Sequence, residues 1–187
     1  MKNLFRILML AASAVLMMAC QGKGPDEGNK PESPYYEFPL TWEEEGFQAG
    51  DNGVTINVSA VEEQNIVFNL VPGSKVKSYR LDVYPKAMLY NLLLNEGCVM
   101  TPAENCEDKV IQLLVNSTGS GAYIFNDSDE DFATGKEFDW MNTEYAQAQI
   151  VPDCEYFILA VGCYDSEGNN PAALSIAHVT TPAKELV

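Results

Sequence analysis

The hydrophobic pattern changes its period several times along the chain, and each change marks a predicted element. Apolar and polar residues alternate over residues 54–59, 66–71 and 79–84. A period of two is typical of strands that bury one face. Pro72 closes the second stretch and Pro85 the third. We therefore predict three short strands, joined by turns into an antiparallel sheet system.

The period then becomes helical over residues 86–95 and 106–116. Two apolar stripes have the spacing of one helix face: Met88, Leu89, Leu92 and Leu93, followed by Val110, Ile111, Leu114 and Val115. Gly97 is a stop signal for the first helix, and Glu107 and Asp108 suit the first turn of the second. The pattern predicts a two-helix insertion at about 86–117, followed to residue 142 by short strand pieces at most.

Alternation resumes in the last third of the chain. Ala146, Ala148 and Ile150 are expected to face inward from a strand that starts near Thr143. A turn through Pro152 follows, then one long strand to about residue 164 and a glycine turn at Gly168. A last strand is predicted over 173–181.

The long strand is apolar on both faces. Tyr156 would share the inward face with Ile158, Ala160, Gly162 and Tyr164, while Phe157, Leu159, Val161 and Cys163 form the other face. A sheet that is exposed on one side normally carries polar residues there. Something should cover this second face, and the sequence offers two candidates: the apolar stripes of the inserted helices, or a partner protein.

The N-terminus predicts export. Lys2 and Arg6 precede an apolar run from Leu4 to Ala19, and the run ends in Met17-Met18-Ala19-Cys20. This segment resembles a bacterial lipoprotein signal over residues 1–19, which implies a lipid on Cys20. An ordinary signal or an uncleaved anchor is the alternative. Gln21 follows the cysteine where an inner-membrane retention signal has aspartate, so an outer-membrane location is expected, with the cell surface slightly favoured over the periplasm.

A tether and an aromatic lead-in separate Cys20 from the domain. Residues 21–34 are rich in Gly, Pro and charge, as flexible linkers are. Residues 35–53 contain Tyr35, Tyr36 and Trp42, which either dock on the domain or contact a ligand. The domain itself is expected over 54–182, with a tail at 183–187.

The net charge excludes some partners. Removal of the signal with Lys2 and Arg6 leaves 9 basic against 27 acidic residues, a net charge of −18. Such a chain is repelled by nucleic acid and by anionic lipid surfaces. Membrane contact is therefore expected through the lipid on Cys20 alone.

The residues around Tyr156 resemble a fibronectin type III domain. That family has a hydrophobic residue, a proline two positions later and a tyrosine four after the proline, as Ile150, Pro152 and Tyr156 do here. The resemblance implies an antiparallel β-sandwich with a structural tyrosine corner at Tyr156. It covers about residues 54–85 and 143–182. Leu70 stands where the family has a core tryptophan, and the helical insertion is foreign to its minimal form.

The remaining cysteines suggest structure more than catalysis. Export permits disulfides. Cys98 and Cys106 flank a short loop between the helices and are candidates for a bridge, whereas Cys154 and Cys163 lie about 30 Å apart on one strand and are interpreted as buried thiols. No Cys-x-x-Cys knuckle indicates zinc. His178 is the single histidine, and a nucleophilic pair with either strand cysteine would require hydrogen-bond reach.

One acidic loop resembles a cation ligand set. Asp127, Asp129 and Asp131 place carboxylates at every second residue, a spacing found in calcium loops. Phe132 and Phe138 stand where such a loop has glycine and glutamate. A solvated acidic loop is the alternative, and we predict no metal or cofactor for the domain.

Together these patterns favour a lipid-anchored, non-catalytic binding or adhesion module for glycan or protein. The alternative is an inhibitor or an accessory subunit of a larger surface complex, which predicts an exposed apolar face on the strand that holds Phe157. A hydrolase with an unrecognised site is the third class. It is the least favoured of the three, because no catalytic motif is visible.

Overall fold

A computed structural model of the chain describes residues 50–95, 106–116, 123–146 and 149–184. Within these ranges the strands are β1 (Val54–Glu62), β2 (Asn65–Pro72), β3 (Ser78–Pro85), β4 (Tyr123–Asn126), β5 (Lys136–Asp139), β6 (Glu155–Cys163) and β7 (Pro171–Thr180). Two helices, α1 (Lys86–Asn95) and α2 (Cys106–Asn116), lie between β3 and β4. The signal, the tether and most of the lead-in fall outside the described residues.

The strands form two antiparallel sheets that pack as a β-sandwich. One sheet has the order β1-β2-β5 and the other the order β4-β3-β6-β7. The prediction of a mainly β, antiparallel architecture with two inserted helices is confirmed. The fourth strand joins the sheet of the third, which is the sheet that also carries the helices.

The core between the sheets is built from the inward positions that alternation predicts. Phe68 stacks on Phe138 from the neighbouring strand with ring centroids 5.4 Å apart. Tyr79 lies between Phe125 and Phe132, at 5.2 and 5.5 Å. Aromatic stacking of this kind adds to the hydrophobic stabilisation of the same side chains.

A second core lies on the other face of the four-stranded sheet, under the helices. Phe157, Leu159 and Val161 are fully buried there. The residues that pack with them from the helices and from β7 are Leu89, Leu93, Val110, Leu114, Leu174 and Ile176. Each fully buried side chain of this size stabilises the fold by about 1.5–3 kcal/mol. The inserted helices are therefore the cover that the apolar face predicts.

Strand β6 ends sooner than its alternation suggests. The pairing with β7 shifts between Gly162 and Cys163, and the strand stops at Cys163. Tyr164, predicted to face inward, is instead 45% exposed. Gly162 is required because a Cβ atom there would lie 2.6 Å from the carbonyl oxygen of Asn52. This contact brings the start of the domain close to the end of β6.

The strand predicted from residue 143 is wrong. Residues 143–146 form a bend and a turn, and 149–154 reach β6 without strand pairing. Ile150 is buried as expected, but Tyr145, predicted to face outward, packs edge-on against Phe125 at 5.2 Å. Ala148 lies outside the described residues. The alternation here reflects the burial of Tyr145 and Ile150 in segments that do not pair as strands.

Candidate functional site

The turn between β6 and β7 presents an exposed aromatic residue on a braced loop. The N–H of Tyr164 donates to the carbonyl of Asn170 at 2.9 Å and closes the turn. The Asp165 carboxylate accepts the N–H of Asn169 at 3.0 Å and also that of Asn170. The N–H of Asn169, followed by that of Asn170, holds the pKa of Asp165 below its ordinary value.

The acidic loop that follows β4 lies beside this turn. The Ser166 hydroxyl donates to Asp127 Oδ1 at 3.1 Å, and Lys77 Nζ lies 3.7 Å from Asp127 Oδ2. The two loops and the segment before β3 therefore meet at one end of the sandwich. Loops held by a rigid scaffold are the usual place for ligand contacts.

The three candidate cation ligands point to separate partners. Asp129 Oδ2 accepts the N–H of Asn126 at 3.1 Å, and Asp131 Oδ2 lies 3.5 Å from Lys136 Nζ. Asp127 is joined to Lys77 and Ser166 as described above. In the described part of the chain, no group of three or more His, Cys, Asp or Glu side chains is placed to hold a metal ion. Each of the three carboxylates instead contacts a different partner within the loop or beside it.

A buried arginine supports the same turn from below. Arg80 is 7% exposed, and its Nε donates to the Gly168 carbonyl at 2.7 Å. Its Nη1 lies 3.4 Å from the Leu114 carbonyl in the last turn of α2, where a cation is favoured by the helix dipole. Gly168 has a φ of +69°, which a glycine adopts without strain. Arg80 thus joins the helical insertion to the exposed turn.

The opposite end of β6 contains the predicted tyrosine. Val151 donates its N–H to the Tyr156 hydroxyl at 2.9 Å, the type of backbone contact that a tyrosine corner makes. Beside it the buried Thr181 hydroxyl donates to the Val151 carbonyl at 2.7 Å and accepts the N–H of Cys154 at 3.0 Å. Asp153 adopts a positive φ of 52° between them. These bonds order a segment that has no strand partner.

The cysteines differ from one another in bonding state. Cys163 is a buried free thiol, as predicted, and burial raises its pKa to about 11. Cys154 was interpreted as a free thiol, and this is wrong because it is disulfide-bonded. The predicted bridge between Cys98 and Cys106 concerns side chains outside the described residues, as does the lipidation of Cys20. The buried, protonated Cys163 has the properties of an inert thiol.

His178 is part of the sheet surface. Its ring packs on Phe157 with centroids 5.1 Å apart, and its Nε2 lies 3.4 Å from Glu155 Oε1. It pairs in register with Phe157, six residues from Cys163 along β6. That separation is about 20 Å at the rise of a strand, beyond hydrogen-bond reach. The two residues do not form a nucleophilic pair.

Two buried charged residues were missed from the sequence. Arg80 and Asp82 alternate with Tyr79, Leu81 and Val83, which indicates solvent-facing polar positions, yet both are buried. The apolar second face of β6 was the available signal. Because β3 and β6 are neighbours, a cover over that face must also extend over Arg80 and Asp82.

The ligand-contact candidates Tyr35, Tyr36 and Trp42 lie outside the described residues. No protein-family model matches the chain, and no curated protein is significantly similar to it in sequence. Among the described residues, no helix has both the length and the apolar character needed to cross a membrane. The functional inference therefore depends on the residues of this chain.

Proposed function

We propose that this protein is a lipoprotein of the bacterial outer membrane, anchored through Cys20, whose fibronectin type III-like domain acts as a non-catalytic binding or adhesion module. The ligand is a glycan or a protein of the cell envelope. The observation that carries the binding role is the exposed Tyr164 on a turn that is braced by Asp165, Arg80 and the acidic loop.

The arrangement of strands supports the domain assignment. Immunoglobulin constant domains place the fourth strand beside the fifth, in the sheet of the first two strands. Here β4 instead extends the sheet of β3, β6 and β7. The bond between Val151 and Tyr156 agrees with the motif of Ile150, Pro152 and Tyr156 that suggested the family. The fold alone carries no function.

An exposed tyrosine on a braced turn is well suited to recognition. Tyrosine offers a large contact area at a small cost in side-chain entropy, and it is enriched among the residues that dominate binding energies. Its turn is held by backbone bonds and by Ser166, so little order has to be gained on binding. Aromatic rings also stack on the apolar faces of sugars, which allows a glycan ligand.

The accessory-subunit alternative loses the surface on which it was based. That alternative predicts an exposed apolar face around Phe157. Phe157, Leu159 and Val161 are buried under α1 and α2 of the same chain. A partner would therefore have to bind elsewhere, and no described feature favours this second function.

The anchor is tested by metabolic labelling of cells with a fatty acid analogue. We expect the wild-type protein to carry the label and a Cys20→Ala variant to lose it. Protease shaving of intact cells then distinguishes the two faces of the membrane: digestion of the domain indicates the surface, and protection indicates the periplasm. An unlabelled wild-type protein would contradict lipidation.

Binding is tested with the full-length protein in detergent, on a glycan array and in a crosslinked pull-down of envelope proteins. We expect Tyr164→Ala to weaken the retained interaction at least tenfold, which corresponds to about 1.4 kcal/mol. Val58→Ala is a matched control, because Val58 is a 37% exposed apolar residue on β1. Equal binding by both variants, or catalytic turnover of a retained ligand, would contradict the proposal.

A further inference from the structure

An acidic side chain is buried in the interface between the four-stranded sheet and the inserted helices. Asp82 is 6% exposed and lies on the face of β3 that α1 and α2 cover. Its neighbours across the sheet are Leu159 on β6 and, one strand further, Ile176 on β7, both fully buried. An ionised carboxylate is costly in such surroundings unless a cation compensates it.

The partners of Asp82 are neutral donors. Its Oδ1 accepts the N–H of Val83 at 2.7 Å, and the hydroxyl of Tyr84 donates to the same carboxyl group. Arg80 lies two residues away on the same strand face, but it donates to the carbonyls of Gly168 and Leu114. Within the described residues, no ion pair involves Asp82.

We propose that Asp82 makes the docking of the two-helix insertion on the sheet depend on pH. The neutral acid fits the apolar interface and favours the docked helices. The ionised carboxylate is solvated when α1 and α2 move away from the sheet, so ionisation favours opening. The core between the two sheets does not contain Asp82, so the opening of the helices leaves it unchanged.

The direction of the effect follows from proton linkage. Burial raises the pKa of Asp82 to about 6, and the bonds from Tyr84 and Val83 lower it only in part. With the helices open, the pKa returns towards its ordinary value of about 3.9. The docked state therefore binds the proton more tightly, and docking weakens as pH rises from about 4 to about 6. Two pKa units correspond to an increase of about 100-fold in the opening constant.

Other titratable groups surround the interface. On the sheet and on α1 they are Arg80, Tyr84, Lys86, Tyr90, Glu155, Cys163 and His178. On α2 they are Glu107, Asp108 and Lys109, which are exposed or half-buried. Among all of these, only Tyr84 contributes to the shifted pKa of Asp82.

The test is hydrogen exchange of the full-length protein in detergent between pH 4 and 8, corrected for intrinsic exchange rates. We expect protection of the α1 and α2 amides to fall by up to about 100-fold as pH rises from about 4, and to level off near the pKa of Asp82. Amides of β2 should keep their protection. Asp82→Asn, which retains an acceptor oxygen, should remove the pH dependence, whereas Asp108→Asn, at an exposed acid on α2, should retain it.

A second variant covers the case in which Asp82→Asn does not fold. Tyr84→Phe removes a donor that favours the ionised carboxylate, so the pKa of Asp82 and the pH at which protection levels off should both rise. Protection that does not change with pH in the wild type would overturn the proposal. The same holds for a pH dependence that survives Asp82→Asn, and for a parallel loss of protection in β2.

Discussion

The N–H of Val54 donates to the hydroxyl of Ser175 at 3.1 Å, although 121 residues separate them in the chain. Val54 begins β1 in the three-stranded sheet, and Ser175 lies in β7 of the four-stranded sheet. Both residues are buried. This bond joins the edges of the two sheets, where no strand pairing can do so.

Replacement of Ser175 by alanine is expected to destabilise the domain by about 1–3 kcal/mol, because it leaves the buried Val54 N–H without an acceptor. Urea unfolding followed by tryptophan fluorescence measures the change. Ser59→Ala is the matched control: its hydroxyl bonds to the Val67 carbonyl at an exposed site, and its loss should cost less than about 0.5 kcal/mol. Equal losses of unfolding free energy in the two variants would mean that the bond between the sheets stabilises the domain no more than an exposed one does.

Removal of the Tyr156 hydroxyl is expected to destabilise the domain for a similar reason. Tyr156→Phe keeps the buried ring but removes the partly buried bond from the Val151 N–H, at a cost of about 0.5–1.5 kcal/mol. Tyr164→Phe removes the same atom from an exposed side chain and should be nearly neutral. Thermal unfolding of the two variants gives the comparison, and an unchanged midpoint for Tyr156→Phe would remove the structural role of this hydroxyl.

The cysteine bonding states can be mapped by digestion after each glutamate without reduction. Cuts after Glu96, Glu104, Glu107, Glu144, Glu155 and Glu167 place the four domain cysteines on separate peptides. We expect peptide 145–155 with Cys154 to be disulfide-linked, and peptide 156–167 with Cys163 to react with a thiol reagent only after unfolding. An unlinked Cys154 peptide in the unreduced digest contradicts the bridge.

The identity of the linked peptide decides between two sequence-based predictions. Because Cys163 is free, an intramolecular partner of Cys154 is Cys20, Cys98 or Cys106. A link to Cys20 would exclude its lipidation, and a link to Cys98 or Cys106 would exclude the bridge predicted between those two. Cys154→Ser should cost about 2–5 kcal/mol, as the loss of a native disulfide usually does.

Acid should weaken the turn that presents Tyr164. The folded pKa of Asp165 is below its ordinary value, so its contribution to stability is complete above the unfolded pKa of about 3.9 and is lost as pH falls through the folded value. Asp165→Asn should remove this part of the acid sensitivity, measured as the change in melting temperature between pH 6 and pH 2.5. An identical acid dependence in the variant would show that the turn does not depend on the Asp165 charge. The pH dependence expected from Asp165 is therefore opposite in direction to that expected from Asp82, because the Asp82 contribution is lost as pH rises.

The sequence predicted the elements that have a strong period, and it failed where burial has another cause. Strands β1–β3 and both helices occur where the pattern indicates them, because their apolar faces line one of the two cores. Ile150 and Tyr145 are buried in a loop, and their spacing therefore resembled a strand that does not form.

The candidate site was harder to predict from the sequence than the strands and helices were. Tyr164 continues the inward alternation of β6, and only the register shift after Gly162 turns it outward. The acidic loop was visible, but its bonds to Lys77, Ser166 and Lys136 come from segments distant in the chain. The burial of Arg80 and Asp82 follows from the cover that α1 and α2 form over β3, which the alternation within β3 itself does not indicate.

The position of β7 has a consequence for how the molecule is made. This strand follows every other strand and helix of the described residues, yet it supplies Leu174 and Ile176 to the core under the helices and Ser175 to the contact with β1. A chain that emerges N-terminus first, from a ribosome or through a translocation channel, exposes one edge of β6 until residue 181 has appeared. Closure of the sandwich therefore cannot be completed before β7 has emerged, and until then the unpaired edge of β6 is open to other strands.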